Sequence, residues 1–353
     1  MHVTTTLVLP YAYDGPLASG VIRHTADDFS VDEELGFLLS GEGEHVYLQF
    51  EKRDTNTAWL ARVIASHAGV KTRDVGYAGL KDKRAVTKQW FSVYLPSQKE
   101  PDWQILQSEK IRLLACMRHK AKLRRGAIRA NHFRLTVRNF HVDRHLLAAR
   151  IESIKQHGVP NYFTEQRFGR DNANIRQAGE LFDGHIKLKD RQKRGLLYSA
   201  ARSWLFNQLL AKRVNDQNWN KALPGDVMML AGSKRYFTTS NERPEDLQHR
   251  IDEQDIHPSG VLWGKGNLET ARDAQQIELQ VAKDYGKLAK GLERAGIKQA
   301  RRSLRVIPVN LQHEYDDNTS VLTLCFALES GAYATAVLRE IVAYAVPSVA
   351  DRA

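Results

Sequence analysis

Apolar positions along the chain recur with two periods. A period of two marks Phe29 and Val31, then Val46, Leu48 and Phe50, then Trp90 to Leu95, then Phe133, Leu135 and Val137. Polar residues alternate with them, which predicts half-buried strands of an antiparallel sheet. Gly20-Val21-Ile22-Arg23 leads into the first of these, and Ile111 to Cys116 is a further strand candidate. A period of 3.6 marks Trp59, Leu60, Val63, Ile64 and His67, between the candidate caps Asp54 or Thr55 and the stop signal Gly69. The same period carries Leu146, Leu147, Ile151 and Ile154 across a helix predicted over 143–157, closed by Gly158-Val159-Pro160. It returns in Leu197, Ala200, Ala201, Trp204, Leu205 and Leu209, and in a charged stretch over 268–296. Ala334, Val337, Leu338, Ile341, Val342 and Ala345 predict a terminal helix.

Shorter apolar runs fill the gaps. Val227 to Ala231 follows the turn signal Pro224-Gly225-Asp226, and Val306 to Leu311 reads as a strand. Val321 to Leu328 is nearly all apolar, as expected of a central strand. The stretches 96–109 and 240–258 read as surface. Residues 258–266 are glycine-rich, lack the spacing of a phosphate-binding loop, and read as an irregular loop. With 353 residues the chain is long enough for two domains. Both ends share alternating strands and amphipathic helices, whereas the middle differs. The prediction is an α+β protein whose core, 1–158 and 308–353, is interrupted by an insertion at 159–307.

Charge narrows the partner. A net charge of +11 and a pI near 9.5 point to a polyanion, most simply nucleic acid. No run of about 18 apolar residues supports a membrane. Met1 to Pro10 has no basic segment before its apolar run, so no signal peptide is expected and a cytoplasmic setting is. Cys116 and Cys325 each fall in an apolar run and are expected to be buried free thiols. The histidines are scattered and no Cys-x-x-Cys pair appears, so no metal site is expected. Between Arg118 and Arg138 lie eight Lys or Arg and no acid, a surface able to neutralise phosphates. A solvated charged face is the plain alternative. Asn161-Tyr162-Phe163-Thr164-Glu165-Gln166-Arg167-Phe168-Gly169-Arg170 combines aromatics that can stack on unpaired bases with arginines, or forms an aromatic core cluster with an Arg–Glu pair.

The chemical oddity is Gly76-Tyr77-Ala78-Gly79-Leu80-Lys81-Asp82-Lys83-Arg84. Two glycines permit a tight turn or a close backbone approach. One carboxylate, Asp82, sits among three cations. Alone, this stretch reads first as a solvated turn in which Asp82 pairs with a lysine.

Several segments together resemble one family. They are Asp27-Asp28-Phe29-Ser30-Val31-Asp32-Glu33, the Asp82 loop through Thr87, Gly126-Ala127-Ile128-Arg129-Ala130-Asn131-His132-Phe133, Pro160 to Gly169, Tyr198 to Asn207, and Ser330 to Glu340. In that order they are similar to the TruD family of tRNA pseudouridine synthases, over nearly the whole chain. The resemblance implies a pseudouridine synthase core, a mixed, largely antiparallel sheet with flanking helices, carrying an inserted α/β TRUD-type domain. It implies isomerisation of uridine to pseudouridine in tRNA, at uridine 13 of the D-arm in bacterial relatives, without a cofactor.

The resemblance also implies roles. Asp82 matches the family's catalytic aspartate, acting as nucleophile at C1′ or as base at C2′. Phe133 matches the ring that stacks on the flipped base, and Asn131 a polar residue beside it. Arg23 stands where relatives often carry Lys and is expected to orient Asp82. Tyr333 stands where relatives often carry Phe. Phe29 and Lys81 complete the expected substrate-binding set. The tRNA is the expected partner, with no obligatory protein partner and a monomeric chain. A non-catalytic tRNA-binding or RNA-folding protein on the same scaffold is the competing reading, and it leaves unexplained a carboxylate placed against a polyanion. A nuclease or methyltransferase lacks its carboxylate cluster or glycine fingerprint.

Overall fold

The computed structural model describes residues 9–96, 99–239 and 242–347. The reading of Met1 to Pro10 therefore falls largely outside the described residues. In chain order the elements are β1 (Ala18–Ile22), β2 (Phe29–Leu35), β3 (His45–Arg53), α1 (Thr57–His67), β4 (Val75–Tyr77), β5 (Val86–Tyr94), β6 (Ile111–His119), β7 (Ile128–Arg138), α2 (Arg144–His157) and β8 (Val159–Pro160). Then come α3 (Ala173–Phe182), α4 (Arg191–Asn215), β9 (Val227–Leu230), β10 (Tyr236–Thr238), α5 (Pro244–Asp252), β11 (Ile256–Leu262), α6 (Arg272–Asp284) and α7 (Gly286–Arg294). The chain closes with β12 (Ala300–Ser303), β13 (Arg305–Val306), β14 (Val309–Asp316), β15 (Val321–Glu329), α8 (Ala334–Leu338) and β16 (Val342–Ala345). The class is α+β.

The described residues divide into two compact units, one drawn from 17–148, 308–331 and 342–347, the other from 9–16, 149–307 and 332–341. The first unit is built on a ten-stranded sheet in the order β14-β15-β7-β2-β5-β3-β6, with β1 and β16 continuing from β7 and β4 lying on β5. The β2/β5 and β1/β16 pairs are parallel and the other pairs antiparallel, so the sheet is mixed. Val46, Leu48 and Phe50 of β3, Phe91 and Val93 of β5, and Leu60 and Ile64 of α1 form one of its cores. Asn56, rather than Asp54 or Thr55, caps α1: its side chain accepts from the Ala58 and Trp59 amides.

The second unit is organised around α4. Leu197, Ala201, Trp204, Leu205 and Leu209 pack with Phe168, Ile175, Leu288 and Leu292. A four-stranded sheet, β10-β9-β11-β12, lies in the same unit. Arg213 and Asp226, both almost wholly buried, form a bidentate pair that ties α4 to the turn before β9.

Three expectations are corrected. Residues 256–262 form the strand β11, not a loop. A side chain at Gly260 would collide with Leu209 and Leu304, so the glycine there serves close packing rather than a turn. The expected terminal helix stops after α8. Val342 to Ala345 instead pair in parallel with Ala18 to Val21, where Gly20 leaves room for Val342: a Cβ on Gly20 would lie 3.2 Å from Val342 Cγ1. The thiols are not buried: Cys116 is exposed and Cys325 half-buried, on outward positions of their strands. Cys116 donates to Glu100 at 3.0 Å.

Candidate active site

Strand register assembles the site. Directly paired residues point to the same face of a sheet. Val31 pairs with Phe133, Glu33 with Asn131 and Phe29 with Leu135. Val31 also pairs with Thr87, which pairs with Lys52, while Gln89 pairs with Phe50. Phe133 pairs with Phe326. One face of the central strands therefore carries Phe29, Glu33, Lys52, Thr87, Gln89, Asn131, Phe133 and Phe326. The Phe133 ring stacks on Phe326 at 5.5 Å and meets Phe29 edge-on at 6.3 Å.

Arg23 reaches this face from the turn after β1. Its φ of 55° places it in the left-handed region, which side chains rarely occupy. The turn is held by Asp28, which accepts from the Thr25 amide at 2.9 Å and from the Arg138 guanidinium, Nη2 to Oδ1, at 2.8 Å. The Arg23 guanidinium lies 4.1 Å from the centre of the Phe29 ring. From there Nη2 donates to Asp82 Oδ2 at 2.6 Å. The Arg23 side chain is 10% exposed and that of Asp82 30%, so the carboxylate is paired yet open to a substrate.

The Asp82 loop is fixed from below. Gly79 O accepts from Gln89 Nε2 at 2.8 Å, Thr57 Oγ1 donates to Gln89 Oε1 at 2.9 Å, and the Lys81 amide donates to Thr57 Oγ1 at 3.1 Å. Gly76 is a close backbone approach, since a Cβ there would sit 2.4 Å from Leu123 O; at Gly79 there is open space. Lys81 Nζ meets Glu33 Oε1 at 2.5 Å, and the Glu33 side chain is fully buried. Glu33 Oε2 also accepts from the Trp90 amide at 2.9 Å. Asn131 is buried, and its Oδ1 has no hydrogen-bond partner among the described residues.

The arrangement is thus an open carboxylate held by an arginine, beside stacked rings and an unused amide oxygen. Comparisons with known proteins show the family to which the chain belongs. A family model described as tRNA pseudouridine synthase D (TruD) matches residues 8–187 and 183–341. The chain belongs to the TruD family. It is 48% identical over 336 residues to the tRNA pseudouridine synthase D of Nitrosococcus oceani, covering 95% of this chain and 94% of the relative. To the enzyme of that name from Methylococcus capsulatus it is 44% identical over 336 residues, covering 95% and 94%. A crystal structure described as a tRNA pseudouridine synthase D from Methanosarcina mazei shares the fold, with a TM-score of 0.72, 21% identity, and coverage of 95% of this chain and 96% of that one. Membership makes the chain one of a family of isomerases.

Six of the seven site residues expected from the TruD resemblance fall in the first unit: Arg23, Phe29, Lys81, Asp82, Asn131 and Phe133. Tyr333 belongs to the second unit, edge-on to Phe163 at 6.0 Å. The basic run is less uncompensated in space than in sequence. Arg118 pairs with Glu100 at 3.3 Å, Lys120 with Glu42 at 2.6 Å and Arg129 with Glu34 at 3.2 Å. Arg124 and Arg125, at its turn, are exposed.

Sequence reasoning missed Glu33, Lys52, Thr57 and Gln89. For Lys52 the signal was present: it continues the inward series Val46, Leu48, Phe50. Glu33 likewise continues Phe29 and Val31. An ionic residue in phase with apolar positions is what to look for.

Burial pushes the Asp28 carboxyl up, but the hydrogen bonds from Arg138 and Thr25 outweigh it and hold the group below its ordinary 3.8. A depressed carboxyl stabilises the fold above its unfolded value, and that contribution is lost as pH falls through the lower folded value. Asp28→Asn should therefore cost about 1–3 kcal/mol at pH 7. In urea melts the gap from the parent protein should close as pH drops below 3.8. A gap that persists unchanged at acid pH would contradict the ion-pair account of this turn.

Proposed function

We propose that this chain isomerises uridine to pseudouridine in tRNA, at uridine 13 of the D-arm, with Asp82 as the reacting carboxylate and no cofactor. The reading rests on the Arg23–Asp82 pair, set beside the Phe133 and Phe29 rings and left accessible on its outer side. A target nucleotide must leave its stack to reach such a group, and the rings offer it a new one. The Asn131 amide lies on the same face as these rings, paired with Glu33, and is the polar group beside the stacked base.

Two routes use the same geometry. In one, an Asp82 oxygen attacks C1′ and forms an ester-like bond while the C1′–N1 pair leaves with the uracil. In the other, Asp82 takes the C2′ proton as the C1′–N1 bond breaks, leaving a C1′–C2′ double bond. Either way the freed uracil turns so that C5 faces C1′. The C1′–C5 bond then forms and the covalent or glycal species collapses. N1 ends with a proton and C5 gives one up, so the product is an isomer of the substrate. Arg23 holds the carboxylate; Lys81, tied to Glu33, holds its loop.

In this reading the synthase core is 1–158 with 308–353, and 159–307 is the insertion. In support, all strands of the ten-stranded sheet lie outside 159–307. We place the protein in the cytoplasm with its tRNA substrate, acting as a monomer; no helix of the described residues is long and apolar enough to cross a membrane.

The direct test is pseudouridine mapping on tRNA by carbodiimide treatment and primer extension. Asp82→Ala should yield no product while binding tRNA within about threefold of the parent protein, the carboxylate contributing chemistry rather than affinity. Full activity in Asp82→Ala would overturn the assignment, and a silent parent protein that still binds tRNA would favour the RNA-folding reading. Affinity should also fall by at least about tenfold between 50 and 200 mM salt as counterions are released. A flat salt response would remove the exposed basic residues, Arg124 and Arg125 among them, from the RNA surface.

A further inference from the structure

We propose that Lys52 is a positioning residue for the reaction, supplying from beneath the sheet face the positive charge that holds the reacting carboxylate and the departing uracil in their anionic forms. This rests on Asp82 as the reacting group.

Lys52 is wholly buried near the end of β3, between β5 and the edge strand β6. It occupies an inward position after Val46, Leu48 and Phe50, where an aliphatic side chain would pack at no electrostatic cost. Burying an ammonium is expensive unless it is partnered. Its Nζ donates to Thr55 O at 2.8 Å, a neutral acceptor. The charged groups that act on it are Lys81, Glu33 and Asp82. Glu33 pairs with Lys81, and Asp82 with Arg23. Among the described residues, the charged groups gathered here are three cations, Arg23, Lys52 and Lys81, and two carboxylates, Glu33 and Asp82. Lys52 adds a positive charge to two ion pairs.

A site with that excess favours negative charge above it. Both routes release the uracil with the C1′–N1 electron pair, so negative charge grows on the base as the bond breaks. A fixed positive charge in a low-dielectric interior stabilises that change without reorganising. Lys52 does this by its field, and by holding Asp82 and Glu33 ionised, without touching substrate, since no part of it is exposed.

The same surroundings weaken its hold on a proton. Burial, then repulsion by Lys81, lower the Lys52 ammonium to about 8, with Glu33 and Asp82 pulling the other way. Below that pH the excess charge is present; above it the site becomes neutral.

The test is the single-turnover rate of pseudouridine formation at saturating tRNA, between pH 6 and 9.5, for the parent protein, Lys52→Met and Lys52→Arg. The parent rate should fall several-fold through a midpoint near 8. Lys52→Met should be about tenfold slower at pH 7, with tRNA affinity unchanged, and should lack the alkaline fall. Lys52→Arg keeps a charge at every pH and should restore the rate at pH 7 while also losing the fall. A purely structural lysine would give parallel profiles, and parallel profiles or a flat parent profile would overturn the proposal. If neither variant folds, the parent profile decides. An active Asp82→Ala would sink the underlying assignment; an inactive one with flat Lys52 profiles would sink this inference alone.

Discussion

The contact between Arg23 and Asp82 is the constraint around which the first unit is arranged. A carboxylate facing a polyanionic substrate is unfavourable unless a cation is held against it, and a free arginine would be drawn to phosphate. The fold removes that freedom. Arg23 is fixed by a left-handed turn, by the Phe29 ring and by the Asp28–Arg138 pair that closes the turn. Asp82 is fixed by a loop whose carbonyls and amides are spoken for by Gln89 and Thr57. Thr57 at the start of α1 and Arg138 at the end of β7 both bear on the 2.6 Å between the two groups.

Beneath that contact lies a second layer of charge. Glu33 and Lys52 are ionic residues placed where strands normally keep apolar ones, and Lys81 reaches Glu33 from the Asp82 loop. Such groups cost stability in isolation. Together they set the sign of the field at the sheet face, and a reaction that passes negative charge from a sugar to a base is sensitive to that sign. Stability here is exchanged for preorganisation, which is the ordinary pattern at catalytic sites.

Much of this was legible in the chain. Alternation located β2, β3, β5 and β7, a nearly continuous apolar run located β15, and the resemblance placed Asp82, Phe133, Asn131 and Arg23 in one core. The register was not legible. Nothing in the sequence says that Val31 lies opposite both Phe133 and Thr87, and that is what puts Lys52 on the face with Phe133. Pairings between strands distant in the chain depend on packing that no local pattern encodes. The same limit explains the errors. The glycine-rich stretch 258–266 reads as a loop because glycine is scarce in strands, yet 256–262 form β11, where Leu209 and Leu304 press on the backbone at Gly260. Ile341, Val342 and Ala345 fit a helical face, but Val342 to Ala345 pair with β1, a partner some 320 residues away in the chain. Acidic partners of the basic run, Glu34, Glu42 and Glu100, were equally remote.

The central claim is that the arginine makes the carboxylate a reagent. It is tested most directly by the single-turnover rate of pseudouridine formation in Arg23→Met and Arg23→Lys at saturating tRNA. The account predicts a fall of about a hundredfold in Arg23→Met, the scale of a lost charge-assisted hydrogen bond at a reacting centre, with tRNA affinity nearly unchanged and most of the rate restored in Arg23→Lys. A parent-like rate in a folded Arg23→Met protein would contradict it.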